Sequence, residues 1–200
     1  SYFLIPTLYN KSMIQSQIKN HIIKKYNVSV KFNENIKYGL LPSPHFVANN
    51  LSIIRDKKEI GVAKNFKIFM AINDFLKVNE IEIKDLSFNK TDFTVQKNDL
   101  LFFKELLETE PNENSILIKN SNIFYKDENE EVLFINKIFD SRFYYDSKNL
   151  QNVLLSKNRI FNVPYKLKIE NNKFNKKFIT KFSSKKIRLN IENEFSYDEE

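Results

Sequence analysis

The spacing of apolar residues along this chain changes near residue 27. Between Asn10 and Tyr26 the apolar residues recur every four positions, as Ile14, Ile18, Ile22 and Tyr26. This spacing predicts an amphipathic helix whose apolar stripe faces a core. Asn27 follows the stripe and suits a left-handed residue that ends the helix.

After Asn27, apolar and polar residues alternate with a period of two. The alternation is clearest in four stretches: Val28–Phe32, Ile81–Ile83, Tyr165–Ile169 and Ile187–Ile191. It predicts strands with one apolar and one polar face. Short helices are expected at 71–76 and at 98–108. The predicted fold class is mainly β with a few helices (α+β).

In several predicted strands the apolar alternation runs up to an Asn or Asp and then resumes with its phase shifted by one residue. We call this pattern the Asn phrase; it occurs near Asn49, Asp85, Asn120 and Asn171. Asn and Asp tolerate the backbone of bulges and turns. The phrase therefore indicates either one supersecondary unit used several times or ordinary hairpins in an Asn-rich chain.

A stiff corner precedes one of these strands. Pro42 and Pro44 each fix φ, and they push Leu41 and Ser43 into extended geometry. Such a corner suits the start or a protected edge of a sheet, with the next strand beginning at Phe46.

Composition removes several classes of function. The chain has 200 residues, no Cys and only 2 Gly, which excludes disulfides, thiolate metal sites, a P-loop and a dinucleotide fingerprint. The histidines are His21, expected on the helix surface, and His45, expected to be exposed or capping; they give no zinc pattern. We therefore predict a protein that is not an enzyme, with no catalytic residues, metal or cofactor.

The net charge of +7 raises the question of nucleic acid. Lysine pairs occur at 24–25, 57–58, 176–177 and 185–186, and the aromatic run Phe143–Tyr145 suits base stacking. The lysines are dispersed among acidic residues, however, and no nucleic-acid-binding motif accompanies them. Solvated lysine-rich strand faces are the favoured interpretation, so no nucleic-acid partner is predicted.

The segment Met13–Ile53 resembles the N-terminal region of the AsmA family of bacterial envelope proteins. The resemblance is carried by the helix stripe, by the strand Val28–Phe32, by the proline phrase Leu41–Pro44 and by Asn49–Ile53. Gly61–Phe88 and Ser115–Ile138 are similar to later elements of the family. Asn89 and Asn120 stand where family members usually carry Gly or Pro, which puts the register in doubt but not the class.

The resemblance implies a long curved antiparallel β-sheet, shaped like a gutter, behind an N-terminal amphipathic helix. It also implies a protein anchored in the bacterial inner membrane by a helix preceding Ser1 and projecting into the periplasm. Phospholipids are the implied partners, and transport of phospholipid to the outer membrane, or support of outer-membrane assembly, is the implied function.

A gutter of this kind exposes apolar residues along one face. The candidate lipid-groove residues are Ile81, Ile83, Phe93, Val95, Ile116, Ile118, Leu133, Ile135, Leu167, Ile169, Leu189 and Ile191. Plain core packing is the alternative for each of them. The alternative function is a scaffold that binds envelope assembly proteins through exposed sheet edges; a basic nucleic-acid-binding domain ranks below both.

Two modules are expected, an AsmA-like N-terminal module at 1–110 and a continuation of the β-groove at 111–200. The polar stretch Thr109–Ser115 would separate them. The start at Ser1 indicates a fragment of a longer chain. The apolar opening Tyr2–Tyr9 suits either the outer end of a membrane helix or a first strand.

Overall fold

A computed structural model describes residues 10–41, 43–70, 82–108 and 114–196. The chain divides into two compact units, Ser1–Thr91 and Asp92–Glu200, each described by itself below. The modules 1–110 and 111–200 stay a prediction. Predicted features outside the described residues are the opening Tyr2–Tyr9, Pro42, the short helix at 71–76, Ile81, and residues 109–113 of the stretch expected to separate the modules.

The described residues form two α-helices, one 3₁₀ turn at Lys97–Asp99, and eleven strands. The helices are α1 (Lys11–Tyr26) and α2 (Leu100–Glu108). The strands are β1 (Ser29–Phe32), β2 (Lys37–Gly39), β3 (His45–Arg55), β4 (Lys58–Met70), β5 (Ile83–Val95), β6 (Ser115–Lys126), β7 (Val132–Asp146), β8 (Gln151–Ile160), β9 (Val163–Asn172), β10 (Lys177–Ser184) and β11 (Leu189–Ser196).

The strands belong to one open sheet. Their order is β1-β3-β4-β5-β6-β7-β8-β9-β10-β11, and β2 pairs with the first residues of β3. The registers determined for β1–β4 and for β6–β11 are antiparallel throughout. The predicted fold class is confirmed: the protein is mainly β, with an open antiparallel sheet and an N-terminal helix.

The first unit has a closed core in which α1 packs on the sheet. Asn10 caps the helix start, because its side chain accepts a hydrogen bond from the Ser12 backbone N–H at 3.0 Å. Asn27 ends the helix with φ 53°, as the sequence predicts. The predicted stripe is buried and the helix contacts β1, and Val30, Phe46 and Phe66 on the strands of this unit are buried as well.

Two of the predicted Asn phrases contain a residue with positive φ inside a strand. Asn50 has φ 52° within β3 and Asn120 has φ 50° within β6. At each site one opposed pair is absent from the ladder, between Asn49↔Asn65 and Leu51↔Ala63 and between Lys119↔Asp140 and Ser121↔Ile138, and the register is the same on both sides. Along β3 the buried apolar residues are Phe46 and Ala48 before Asn50 and Leu51 and Ile53 after it, which agrees with the predicted phase shift there.

The other two phrases behave differently. Near Asp85, Ile83 and Leu86 are buried three positions apart, so the apolar phase shifts without a left-handed residue at Asp85. Near Asn171 the strand continues to Asn172 and then turns back. A turn also contains Ile187, which was predicted to begin a strand, while β11 starts at Leu189.

The described part of the predicted proline corner, Ser43 and Pro44, lies between β2 and β3, and the neighbouring His45 explains Gly39. His45 is the first residue of β3; its Nδ1 lies 2.8 Å from the Ser43 carbonyl oxygen. A Cβ on Gly39 would lie 2.6 Å from this imidazole ring. Of the two predicted alternatives for His45, the exposed one was wrong, because the side chain is buried; its contact with the Ser43 carbonyl agrees with the capping one.

His21 is half-buried on α1 and is therefore not the surface residue expected from the sequence. Burial first, and the nearby charge of Lys25 second, lower the pKa of His21 below its ordinary value. Its Nε2 atom is buried and has no hydrogen-bond partner among the described residues. This imidazole is consequently held in its neutral form near pH 7.

Candidate functional site

Strands β6–β11 of the second unit divide their side chains completely by charge. Partners directly opposite each other in an antiparallel sheet share a face, so the regular registers assign each paired residue to one face or the other. Apart from Lys126, which lies beyond a register shift, every charged side chain of these six strands falls on one face, which we call the charged face. The opposite face carries none, and we call it the apolar face.

Two rows of the apolar face cross all six strands. Direct pairing links the first row from Ile116 through Phe143, Leu154, Ile169 and Thr180 to Asn193. The second row runs from Ile118 through Ser141, Ser156, Leu167 and Phe182 to Ile191. With strands about 4.8 Å apart, each uncharged row is roughly 24 Å long.

Polar groups on the apolar face bond to one another or to the backbone. The Tyr165 hydroxyl donates to Asn136 Oδ1 at 3.0 Å, and the Ser156 hydroxyl donates to Asn158 Oδ1 at 2.9 Å. Ser184 donates to the Pro164 carbonyl oxygen at 2.7 Å. Burial raises the pKa of Tyr165, so its phenol stays neutral. Because these polar atoms already have partners, the face presents a largely apolar surface.

The apolar face is less covered than the core of the first unit. Ile116, Leu154, Leu167 and Ile169 are only half-buried, and Ile191 keeps 42% of its surface exposed. By contrast, Ile18 in the core of the first unit is 0% exposed. The same alternating strand pattern thus yields a closed core in one unit and a partly open apolar surface in the other.

Helix α2 covers one end of the apolar face. The Leu107 carbonyl oxygen, in the last turn of α2, accepts hydrogen bonds from Asn152 Nδ2 at 3.1 Å and from Asn171 Nδ2 at 3.2 Å. Asn152 and Asn171 are direct partners on β8 and β9, and both are buried. Two sheet asparagines therefore fix the helix end where no helical donor is available.

Six of the predicted groove residues lie together on the apolar face. They are Ile116, Ile118, Leu167, Ile169, Leu189 and Ile191. Ile116 and Ile169 belong to the first row, and Ile118, Leu167 and Ile191 belong to the second, so the structure brings them onto one surface. Sequence reasoning missed Phe143, Leu154 and Phe182 in the same rows. Leu154 stands between Val153 and Leu155, so its alternation is masked and only the strand registers reveal its face. Phe182 stands between Lys181 and Ser183, so its alternation is readable in the sequence.

The other predicted groove residues are placed elsewhere. Ile135 pairs with Phe124 on the charged face and is 48% exposed. Leu133 lies at the irregular end of the β6–β7 ladder and is 56% exposed. On β5, Ile83 and Val95 are buried and Phe93 is half-buried. Ile81 lies outside the described residues.

The features weighed for nucleic-acid binding do not form one surface. Phe143 and Tyr145 lie on the apolar face, where Phe143 is buried, whereas Tyr144 lies on the charged face beneath Arg142. The lysine pairs occupy the end of α1 and the ends of hairpins. The aromatic run therefore offers no shared stacking platform for bases.

The charged face carries ion pairs across β9, β10 and β11. Lys168 lies 2.8 Å from Glu170, Lys177 lies 2.7 Å from Glu194, and Lys181 lies 2.7 Å from Glu192. The hydrogen bond to Glu192 holds the pKa of Lys181 above its ordinary value. These exposed pairs fix side-chain positions more than they add stability.

Comparison with protein-family models finds no family that matches this chain, and comparison with curated proteins finds no similar sequence. Among the described residues, no group of three or more His, Cys, Asp or Glu side chains is placed to hold a metal ion. Within residues 10–41, 43–70, 82–108 and 114–196, no helix has the length and apolar character to cross a membrane.

Proposed function

We propose that the second unit holds an acyl chain of a phospholipid along its apolar face, without covalent chemistry. The observation that supports this proposal is the absence of charged side chains from that face throughout the regular registers of β6–β11. In keeping with the AsmA resemblance, the protein would work in the periplasm, anchored to the bacterial inner membrane, in lipid transport towards the outer membrane.

The dimensions of the apolar face agree with an acyl chain. The uncharged rows are roughly 24 Å long, and one acyl chain spans about 15 Å, half the thickness of a bilayer core. Each methylene that leaves water contributes about 0.8 kcal/mol. Ten methylenes on the apolar face would therefore contribute roughly 8 kcal/mol before ordering costs.

The absence of Cys allows a direct test with two neighbouring labels. Leu167→Cys places a fluorophore on the apolar face, and Lys168→Cys places the same fluorophore on the charged face. A phospholipid with brominated acyl chains should quench the label at 167 and leave the label at 168 unchanged. Equal quenching at both positions, or none at either, would refute the proposal.

A matched pair of charge insertions on β11 tests the same surface. Ile191→Asp places a carboxylate on the apolar face, and Asn190→Asp places one on the charged face; both positions are exposed. We expect Ile191→Asp to weaken phospholipid binding about tenfold, since a carboxylate is costly to remove from water. Asn190→Asp should bind like the unaltered protein.

The alternative function, a scaffold for envelope assembly proteins, is favoured by one observation. Every residue of β11 is exposed, and β11 ends the strand order, so its outer edge has no strand partner among the described residues. Free edges of this kind pair readily with strands of other chains. A photocrosslinker at Asn193 that captures envelope proteins, in a chain that fails both lipid tests, would support the scaffold instead.

A further inference from the structure

The charged face contains a basic cleft that the acyl-chain proposal does not use. It has a volume of about 430 Å³, and its charged lining residues are Asp140, Arg142, Lys157, Lys166, Lys168 and Lys181. Five of these side chains are cationic and one is anionic. The size is within the range of small-molecule sites, about 300–1,000 Å³.

Like charges face each other directly inside this cleft. Lys157 on β8 is opposite Lys166 on β9, and Lys168 on β9 is opposite Lys181 on β10. Directly opposed cations on neighbouring strands destabilise a sheet. An anion bound between them would remove this repulsion, so the arrangement suits a ligand-bound state better than a ligand-free one.

The two lysine pairs differ in whether carboxylates lie close enough to neutralise their positive charge. Lys168 and Lys181 have the carboxylate partners Glu170 and Glu192. Among the described residues, no carboxylate lies within 4.0 Å of the amino group of Lys157 or Lys166, although Asp140 is directly opposite Lys157 in the register. The uncompensated positive charge is therefore concentrated at Lys157 and Lys166.

Arg142 and the Ser183 hydroxyl also line the cleft. Arg142 lies over the Tyr144 ring at 5.0 Å, which orients its guanidinium, and Ser183 is directly opposite Lys166. A guanidinium with several N–H donors binds phosphate oxygens in pairs, while lysines act as point charges on the same group.

We propose that this cleft binds the phosphate group of a small ligand between Lys157, Lys166 and Arg142. These three cationic side chains belong to the charged face and not to the acyl-chain surface, although Ser156 and Leu167 of the apolar face also border the cleft. The phosphate could be free in solution or belong to a lipid headgroup, and these two sources are separated in the test below.

The test compares two charge-matched double variants of the whole chain. Lys157→Gln/Lys166→Gln removes the two uncompensated cations from the cleft, and Lys148→Gln/Lys173→Gln removes two cations from exposed turns. Thermal unfolding is followed with inorganic phosphate, with glycerol phosphate, and with chloride at the same ionic strength. Binding to vesicles of phosphatidylcholine, with and without phosphatidic acid, is measured in parallel.

We expect phosphate or glycerol phosphate to raise the unfolding temperature of the unaltered chain and of the turn variant, and to bind the cleft variant at least tenfold more weakly. Without phosphate, the cleft variant should be as stable as the unaltered chain or more stable, because repulsion is relieved. Binding only to vesicles with phosphatidic acid, lost in the cleft variant alone, would support the site and assign it to a lipid headgroup.

Equal phosphate effects in all three proteins, or no response to any phosphate source, would overturn the proposal. Neither result bears on quenching of the label at Leu167, so the acyl-chain proposal is judged separately.

Discussion

Two hydrogen bonds attach the end of α2 to the sheet, and the stability that they contribute can be predicted from the structure. The Leu107 carbonyl oxygen has two side-chain donors, Asn152 Nδ2 at 3.1 Å and Asn171 Nδ2 at 3.2 Å. Replacing one Asn by Leu keeps the branched shape and leaves the carbonyl with its second donor. Replacing both leaves a carbonyl in the last turn of α2 without either of these donors.

The expected free energies follow from this difference. Each single variant should lose about 0.5–1.5 kcal/mol, the net value of one hydrogen bond. The double variant should lose roughly 1–3 kcal/mol beyond the sum of the single variants, because the carbonyl of the half-buried Leu107 then has neither donor to offset its desolvation. The two asparagines should thus be coupled, and the double-mutant cycle measures that coupling.

The assay is urea unfolding of the whole chain, supported by hydrogen exchange of the α2 amides. Asn193→Leu, at an exposed position of β11 on the same face, serves as the control and should change stability by less than about 0.5 kcal/mol. Additive losses in the double variant would contradict the reasoning, since each asparagine would then act independently of the shared carbonyl.

Three further predictions concern backbone geometry and pH. Because burial and Lys25 lower the pKa of His21, the free energy of unfolding should fall as pH is lowered below 6.5, and His21→Gln should flatten that part of a urea-derived stability curve. Asn120→Ala should cost about 1 kcal/mol in chemical unfolding because of its positive φ, whereas Asn120→Gly should cost little. Gly39→Ala should cost roughly 1–3 kcal/mol, because its Cβ meets the His45 ring, and less in a His45→Ala background.

Each of these has an outcome that would contradict it. A pH profile that His21→Gln leaves unchanged would place the titration at other groups. Equal stability of the Ala and Gly variants at residue 120 would show that the left-handed backbone carries no cost. An unchanged penalty for Gly39→Ala without the imidazole would show that the crowding does not involve His45.

On the apolar face, the sequence pattern predicted the correct side of the strand for some residues and not for others. Alternation correctly grouped Leu167 with Ile169 and Leu189 with Ile191, because strict alternation keeps apolar residues on one side of a strand. It failed at Ile135, where apolar residues occupy consecutive positions and no phase can be chosen. Pairing with Phe124 puts Ile135 on the charged face.

The basic cleft was beyond the reach of the sequence for a different reason. Lys157 and Lys166 belong to separate strands and fall in no basic run, so their proximity depends on the β8–β9 register. A shift of one residue would move either lysine to the other face. The burial of His45 likewise depends on the β2–β3 pairing, which places Gly39 opposite it.

Local patterns alone determined the parts of this protein that depend on neighbouring residues: helix α1 with its four-residue stripe, its left-handed end at Asn27, and the alternating strands. These follow from backbone geometry and side-chain periodicity within a few positions. The tertiary structure decided which apolar faces were covered and which lysines met. Those outcomes depend on strand registers and helix packing between residues far apart in the chain, which periodicity within one segment does not encode.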